Sequence, residues 1–406
     1  SYIGTGPSGQ VAPGNSILYV WYAEAEGTNL IHSTAAMVGG EGDGGSISTG
    51  LFGAVNVLPR DSVWFRSQVT QSELDAASIG QTELGYPVID YSPAAVYTSG
   101  PRAGLPLLRI LDGNEIVHSD LTAIIAGPEE NNWRFRDGTY PPVKVYRDRN
   151  QPFREFTIIF HDEVGAVQAF PQFEEDSGNP DDLAHTLHSV RDAFPINYGS
   201  GGIGSEILAN RLGVGPMHDC VACKYEEFFL SAWTVGDPAM VVDVPANTTD
   251  SFGNLIRGPK ATKAFYPDDP SNVYHSYLND HVKFRNLLAG TDDHHIFHLH
   301  AHQWLHTPNS DQSTYLDSQA LGQGSGHTYE IAYDGSGNRN KTVGDSIFHC
   351  HFYPHFAQGM WAMWRVNDVL QTGTKLDNKG RPAEGSRAYP DAEIKSGTPI
   401  PAVVPL

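Results

Sequence analysis

Phe348-His349-Cys350-His351-Phe352-Tyr353-Pro354-His355-Phe356-Ala357-Gln358-Gly359-Met360 is the stretch on which the reading of this chain turns. A thiol, an imidazole and a thioether fall between Cys350 and Met360. Soft and borderline donors of this kind suit copper, and a trigonal His-His-Cys set with a long axial Met is one way a protein holds a redox-active copper ion. Successive side chains of a strand face opposite sides. If the stretch is extended, Cys350 points one way while His349 and His351 point the other. One strand then serves two metal sites joined through covalent bonds.

The missing imidazole is sought in a second segment, His294-His295-Ile296-Phe297-His298-Leu299-His300-Ala301-His302-Gln303-Trp304. Read as one extended run, it places His298, His300 and His302 on a shared face and His295 on the other. His295 is then the natural partner of Cys350. A lone histidine at any of these places would be read as an ordinary hydrogen-bonded imidazole. Several at strand spacing, together with a His-Cys-His run, point to metal.

Together the two segments resemble the H-P-x-H-L-H-G-H and H-C-H-x-x-x-H-x-x-x-G-M motifs of multicopper oxidases, the family of laccases, ascorbate oxidase, ceruloplasmin and bacterial copper or manganese oxidases. The chain looks like the C-terminal portion of a large bacterial, laccase-like member. That resemblance implies His295, Cys350, His355 and Met360 as type 1 copper ligands, His298 as a type 2 ligand, and His300, His349 and His351 as ligands of a binuclear type 3 pair. It gives His302 no metal. Two positions depart from the motif, with Ile296 in place of proline and Ala301 in place of glycine. The implied activity is one-electron oxidation of a small reducing substrate, a phenol-type molecule or a metal ion. Electrons would enter at an exposed edge of His295 or His355 and pass along Cys350 to His349 and His351, coupled to four-electron reduction of dioxygen to water. Bacterial laccase-like enzymes often have an acidic residue directly after the second type 1 histidine; Phe356 stands there, so no proton relay is expected at that place.

Upstream, Gly50-Leu51-Phe52-Gly53-Ala54-Val55 resembles the strand that closes the first domain of these enzymes. Gly27-Thr28-Asn29-Leu30-Ile31-His32-Ser33-Thr34 stands where the family has G-T-x-W-Y-H-S-H, and Thr34 replaces the second histidine. His32 is therefore read as structural. The family's oxygen-reducing cluster takes His-x-His pairs from its first and last domains alike. Among the 18 histidines there is no such pair outside the two copper segments, so only half of the cluster is expected here. An N-terminal portion or another chain would supply the rest. The chain starts at Ser1, which suggests a processed product or a fragment; residues 1–66 also suit a domain whose ligand motifs have decayed. Two rivals stand beside the oxidase: a blue-copper electron-transfer protein without a complete cluster, and a copper-binding or storage module.

Further out, 42 glycines and 27 prolines among 406 residues, with many short β-branched and aromatic runs, point to an all-β chain. The resemblance specifies cupredoxin-like Greek-key β-sandwich domains with long loop insertions. Strands are expected at residues 17–22, 51–59, 154–161, 226–233, 239–244, 282–288, 295–304, 329–333, 346–352 and 360–366, with a short helix near 183–194. The expected division is a closing part of an upstream cupredoxin domain (1–66), a connecting segment (67–149), a C-terminal cupredoxin domain carrying the copper ligands (150–372) and a surface-wrapping tail (373–406).

A net charge of -21, from 47 acidic and 26 basic residues, argues against nucleic acid as a partner. Metal cations fit somewhat better than phenols, although a solvated acidic surface is the commoner origin of such an excess. No apolar stretch is long enough for a membrane span. Cys220 and Cys223 read first as a disulfide, then as half a zinc site or a redox pair. An extracellular, cell-surface or periplasmic location follows. His185 with His188, His118 with Asp120, and His161 with Asp162 are read as structural, and Asn247 and Asn340 fit the glycosylation sequon.

Overall fold

A computed structural model describes residues 11–32, 47, 50–81, 87–118, 121–126, 152–161, 194, 196–197, 273–290, 293–307, 310, 312–333, 335–357, 360–367 and 403–405. Near the start, β1 (Gly27–His32) and β2 (Phe52–Val57) form an antiparallel pair. The strands of the main body follow as β3 (Val63–Arg66), β4 (Thr122–Ala126), β5 (Phe153–Phe160), β6 (Val273–Tyr277) and β7 (Val282–Leu288). After them come β8 (His295–Leu299), β9 (Ser318–Leu321), β10 (Gly326–Glu330), β11 (Gly344–Cys350) and β12 (Trp361–Asn367).

Two five-stranded sheets result, ordered β10-β7-β5-β4-β3 and β6-β12-β11-β8-β9. From β5 onward the chain passes repeatedly between them. Two pairs, β5 with β7 and β6 with β12, are parallel, and the remaining pairs within the sheets are antiparallel. Parallel neighbours need a crossover. Here the crossover from β5 to β7 runs through β6 in the opposite sheet, which ties the sheets into a Greek-key sandwich of cupredoxin-like form. Residues 161–272 separate β5 from β6 in the sequence, and of them 161, 194, 196 and 197 are among the described residues.

An aromatic core fills the space between the sheets. Phe156, Phe160, Phe284, Phe297, Phe348 and Trp364 are fully buried and belong to one cluster with Cys350 and Met360. Their rings meet largely edge to face, as in Phe156–Phe284 at 5.3 Å and Phe284–Trp364 at 5.3 Å, contacts worth about 0.5–1.5 kcal/mol each beyond simple burial. All of β5 is buried because both of its sides are covered. Phe156, Ile158 and Phe160 face this core, whereas Ile159 packs with Phe52, Leu287 and Ala289 under the β1–β2 pair. Asn56 fastens that pair by donating to Glu155 Oε1 and Thr157 Oγ1.

Several boundaries differ from the sequence expectation. Residues 17–22 form no strand, and Leu18, Val20 and Tyr22 are 80%, 82% and 90% exposed. Their β-propensity alone does not make a strand; among the described residues no ladder partner lies beside them, and β1 begins only at Gly27. The run 295–304 is not one strand either. It stops at Leu299, and Ala301, at φ 58, turns the backbone before a short Trp304–Leu305 strand. At the other end of the chain, Val404–Pro405 pairs in parallel with Gln68–Val69, and Val403 and Val404 are buried instead of lying on the surface. The expected strands at 226–233 and 239–244, most of the helix near 183–194, the Cys220/Cys223 pair and the His185/His188 pair lie outside the described residues.

Candidate metal centre

β8 and β11 build the site between them. Their register sets Phe297 opposite Cys350 and His298 opposite His349. Along β8 burial alternates, with His295, Phe297 and Leu299 inside and Ile296 and His298 partly exposed. Side chains of one strand thus reach opposite sides of the sheet.

On the inner side, Cys350 Sγ lies 3.5 Å from His295 Nδ1 and 3.6 Å from His355 Nδ1, and the two Nδ1 atoms are 3.0 Å apart. Ligands bound to one first-row ion at about 2.0–2.3 Å sit roughly 3–4 Å from one another, so this triangle fits a single ion. His355 comes into reach because α1 (Tyr353–Ala357) folds the chain back just after β11. Met360 is fully buried beside the triangle; its N–H donates to the His355 carbonyl and its carbonyl accepts from Cys350 N–H. Burial pushes the Cys350 thiol up to about 11, against hydrogen bonds to the sulfur from the backbone of Ile296 and Phe352. A metal ion would therefore have to displace a proton from Cys350 on binding.

On the outer side, His298, His300 and His349 bring their ring nitrogens within 4.8 Å of one another. His300 Nε2 and His349 Nε2 are 3.1 Å apart, a spacing suited to two imidazoles on one ion. The His351 ring stacks near His349 at 5.8 Å and meets His298 at 5.1 Å. Hydrogen bonds set which nitrogen of each ring would face a metal. His298 Nδ1–H donates to the Asp317 carbonyl and His349 Nδ1–H to the Cys350 carbonyl, leaving Nε2 of each as the ligand atom. Burial lowers His349 to about 4, and burial followed by the charges of His298 and His351 lowers His300. Both rings are thus kept neutral and able to bind metal.

No family model and no curated protein matches the chain. Among solved structures it is similar to a multicopper oxidase from Campylobacter jejuni, described as a metallo-oxidase, with 12% identity and a TM-score of 0.26 over 56% of this chain and 31% of that one. It is also similar to the copper nitrite reductase from Nitrosomonas europaea, with 14% identity and a TM-score of 0.25 over 57% of this chain and 52% of that one. A multi-copper oxidase from Pseudomonas thermotolerans follows at 21% identity and a TM-score of 0.19, over 23% of this chain and 22% of that one. The chain spans about a third to a half of the first two proteins. Likenesses this distant carry no argument about activity, which has to come from the side chains themselves.

The structure brings His295, Cys350 and His355 together on one side and His298, His300, His349 and His351 on the other, with Met360 buried at the first group. His302 departs from the shared face that one extended run would give it, not from its reading as a histidine without metal. Ala301 swings it out of the face shared by His298 and His300, and both its ring nitrogens are used: Nδ1–H donates to the His300 carbonyl and Nε2 accepts from Gly337 N–H. It also packs against Trp364, with ring centroids 4.1 Å apart and the planes tilted by 31°. His32 ends β1 opposite Phe52 and joins neither group. His118 is buried with its Nε2 at 2.7 Å from the Pro106 carbonyl, and His161 packs edge-on against Phe52.

Three residues were missed in the sequence. Phe194 stacks on His355 at 4.3 Å and 7°, and Asp293 Oδ2 lies 3.5 Å from His355 Nε2. Phe356, noted earlier only for what it is not, covers His349 edge-on at 4.9 Å. Asp293 stands two positions before His295, a proximity visible in the sequence. Phe194 gave no signal, being far from every ligand in sequence.

Proposed function

We propose that this chain is the type 1 and half-cluster portion of a laccase-like multicopper oxidase. A small reducing substrate, a phenol-type molecule or a metal ion, would give up single electrons at the His295–Cys350–His355 site, and dioxygen would be reduced with four electrons and four protons to water. One observation carries the reading: Cys350 joins one ligand group while its immediate neighbours His349 and His351 belong to the other.

Copper held by these groups would supply one-electron redox chemistry, with Met360 as the thioether donor beside His295, Cys350 and His355. The chain's own residues do the rest. Cys350 offers the thiolate, and its backbone is shared with His349 and His351. The hydrogen bond from His349 Nδ1–H to the Cys350 carbonyl, at 2.7 Å, adds a second short link between the groups. The aromatic core around Cys350 excludes water from the sulfur, so the site need not reorganise solvent when its charge changes.

The electron-carrier reading is favoured by one fact: among the described residues, the outer group has imidazoles only from β8, β11 and the residues that follow each. Dioxygen reduction would then require histidines from an N-terminal portion or another chain, in a compartment outside the cytoplasm. Among the described residues no helix is long and apolar enough to cross a membrane. Metal analysis with oxygen uptake separates the readings. The oxidase is expected to hold type 1, type 2 and type 3 copper in its assembled form and to consume oxygen with a phenol or a reduced metal ion. A blue protein with one copper per chain and no oxygen uptake in any assembly would leave only the carrier. A chain without thiolate-to-copper absorption would end both readings.

A further inference from the structure

His355 is held on two sides by groups that bind no metal. Phe194 lies flat against its face at 4.3 Å and 7°, and the Asp293 carboxylate stands 3.5 Å from Nε2 at its edge. The Asp293 side chain is 46% exposed and that of His355 only 14%, so this edge is where the imidazole nears solvent. Its Nδ1 is the atom turned towards Cys350 Sγ and His295 Nδ1. A neutral imidazole that gives Nδ1 to a metal must carry its proton on Nε2. That N–H then faces Asp293.

We propose that Asp293 is a positioning residue of the electron-entry site: it accepts the Nε2–H of His355, fixes the ring as an Nδ1 ligand and lowers the reduction potential of the copper bound there. The inference rests on the type 1 reading above. Its physical basis is that a carboxylate beside a metal-bound imidazole makes the ligand more basic and favours the more highly charged, oxidised ion. Phe194 prevents the ring from rotating away, so the pairing is kept through both oxidation states.

The test is a redox titration of the full-length, copper-loaded protein, following the thiolate-to-copper absorption, for the wild type, Asp293→Asn and Asp293→Glu. Loss of the charge in Asp293→Asn is expected to shift the equilibrium towards the reduced ion about tenfold, or about 59 mV for a one-electron couple. Asp293→Glu is expected to restore most of the wild-type value. Equal potentials in all three, with the absorption intact, would overturn the role of Asp293 and leave the type 1 reading standing. A wild type without that absorption would remove the type 1 reading and this inference together. Because Asp293 is half exposed and lies outside the core, correct folding of both variants can be verified by circular dichroism before titration.

Discussion

Ala301 sits between His300 and His302 with φ 58, a left-handed backbone that costs a residue with a Cβ roughly 1–2 kcal/mol. The motif that this segment resembles has glycine there, and in this chain the turn keeps His300 beside His298 and His349 while His302 enters the core. Asn338 Nδ2 donates to the Ala301 carbonyl and helps to hold the strained turn. Ala301→Gly should therefore stabilise the metal-free protein by about 0.5–1 kcal/mol, the relief of strain being partly offset by the freer unfolded chain. A higher urea midpoint with an unchanged slope would bear this out; a lower one would mean that the Ala301 methyl packs favourably. Ile296 is the other departure. Its backbone hydrogen-bonds the Cys350 sulfur, which a proline, lacking an N–H, could not do through the same atom.

At the scale of elements, the two-sided site depends on the antiparallel pairing of β8 with β11. A slip of one residue would exchange inner and outer faces. The pairing is fixed by the inward alternation of His295, Phe297 and Leu299 against Phe348 and Cys350, so the core that stabilises the fold also sorts the ligands. A different element carries a pH-dependent contribution. The helix Gln71–Ala77 begins with a capping box in which Thr70 and Glu73 satisfy each other's backbone N–H. Burial alone would raise the Glu73 carboxyl, but hydrogen bonds from Arg66 and Tyr97 and the charge of Arg66 outweigh it and lower the group from 4.5 to about 2. A depressed carboxyl stabilises the fold above its unfolded value, so this contribution is complete above pH 4.5 and fades as pH falls from 4.5 to about 2. With solvent screening of this partly exposed group discounted, it is worth roughly 2 kcal/mol. Glu73→Gln should therefore be less stable than the wild type at pH 6, with the gap closing towards pH 2. A gap that stays constant with pH would assign the loss to packing.

Across the whole molecule, a buried ion pair ties β5 to the turn between β6 and β7, where water does not reach. Arg154 on β5 donates to Asp280 at 2.7 and 3.1 Å and to Ser67 Oγ at 2.6 Å, with both charged side chains fully buried. Removing one partner of such a pair typically costs about 3–5 kcal/mol, because the other charge is left buried and uncompensated. Arg154→Ala is expected to lose that much in urea unfolding, and pairing Arg154→Met with Asp280→Leu should recover most of it. A small loss for the single variant would show that water reaches Asp280. The sequence alone determined the all-β class and which side chains could bind metal, because strand alternation and the softness of thiol, thioether and imidazole are local properties. Tertiary structure alone decided that Ala301 turns His302 into the core, that residues 17–22 form no strand and that Phe194 and Asp293 flank His355. Each depends on groups distant in sequence or on a backbone turn, and no local pattern encodes which of them will meet.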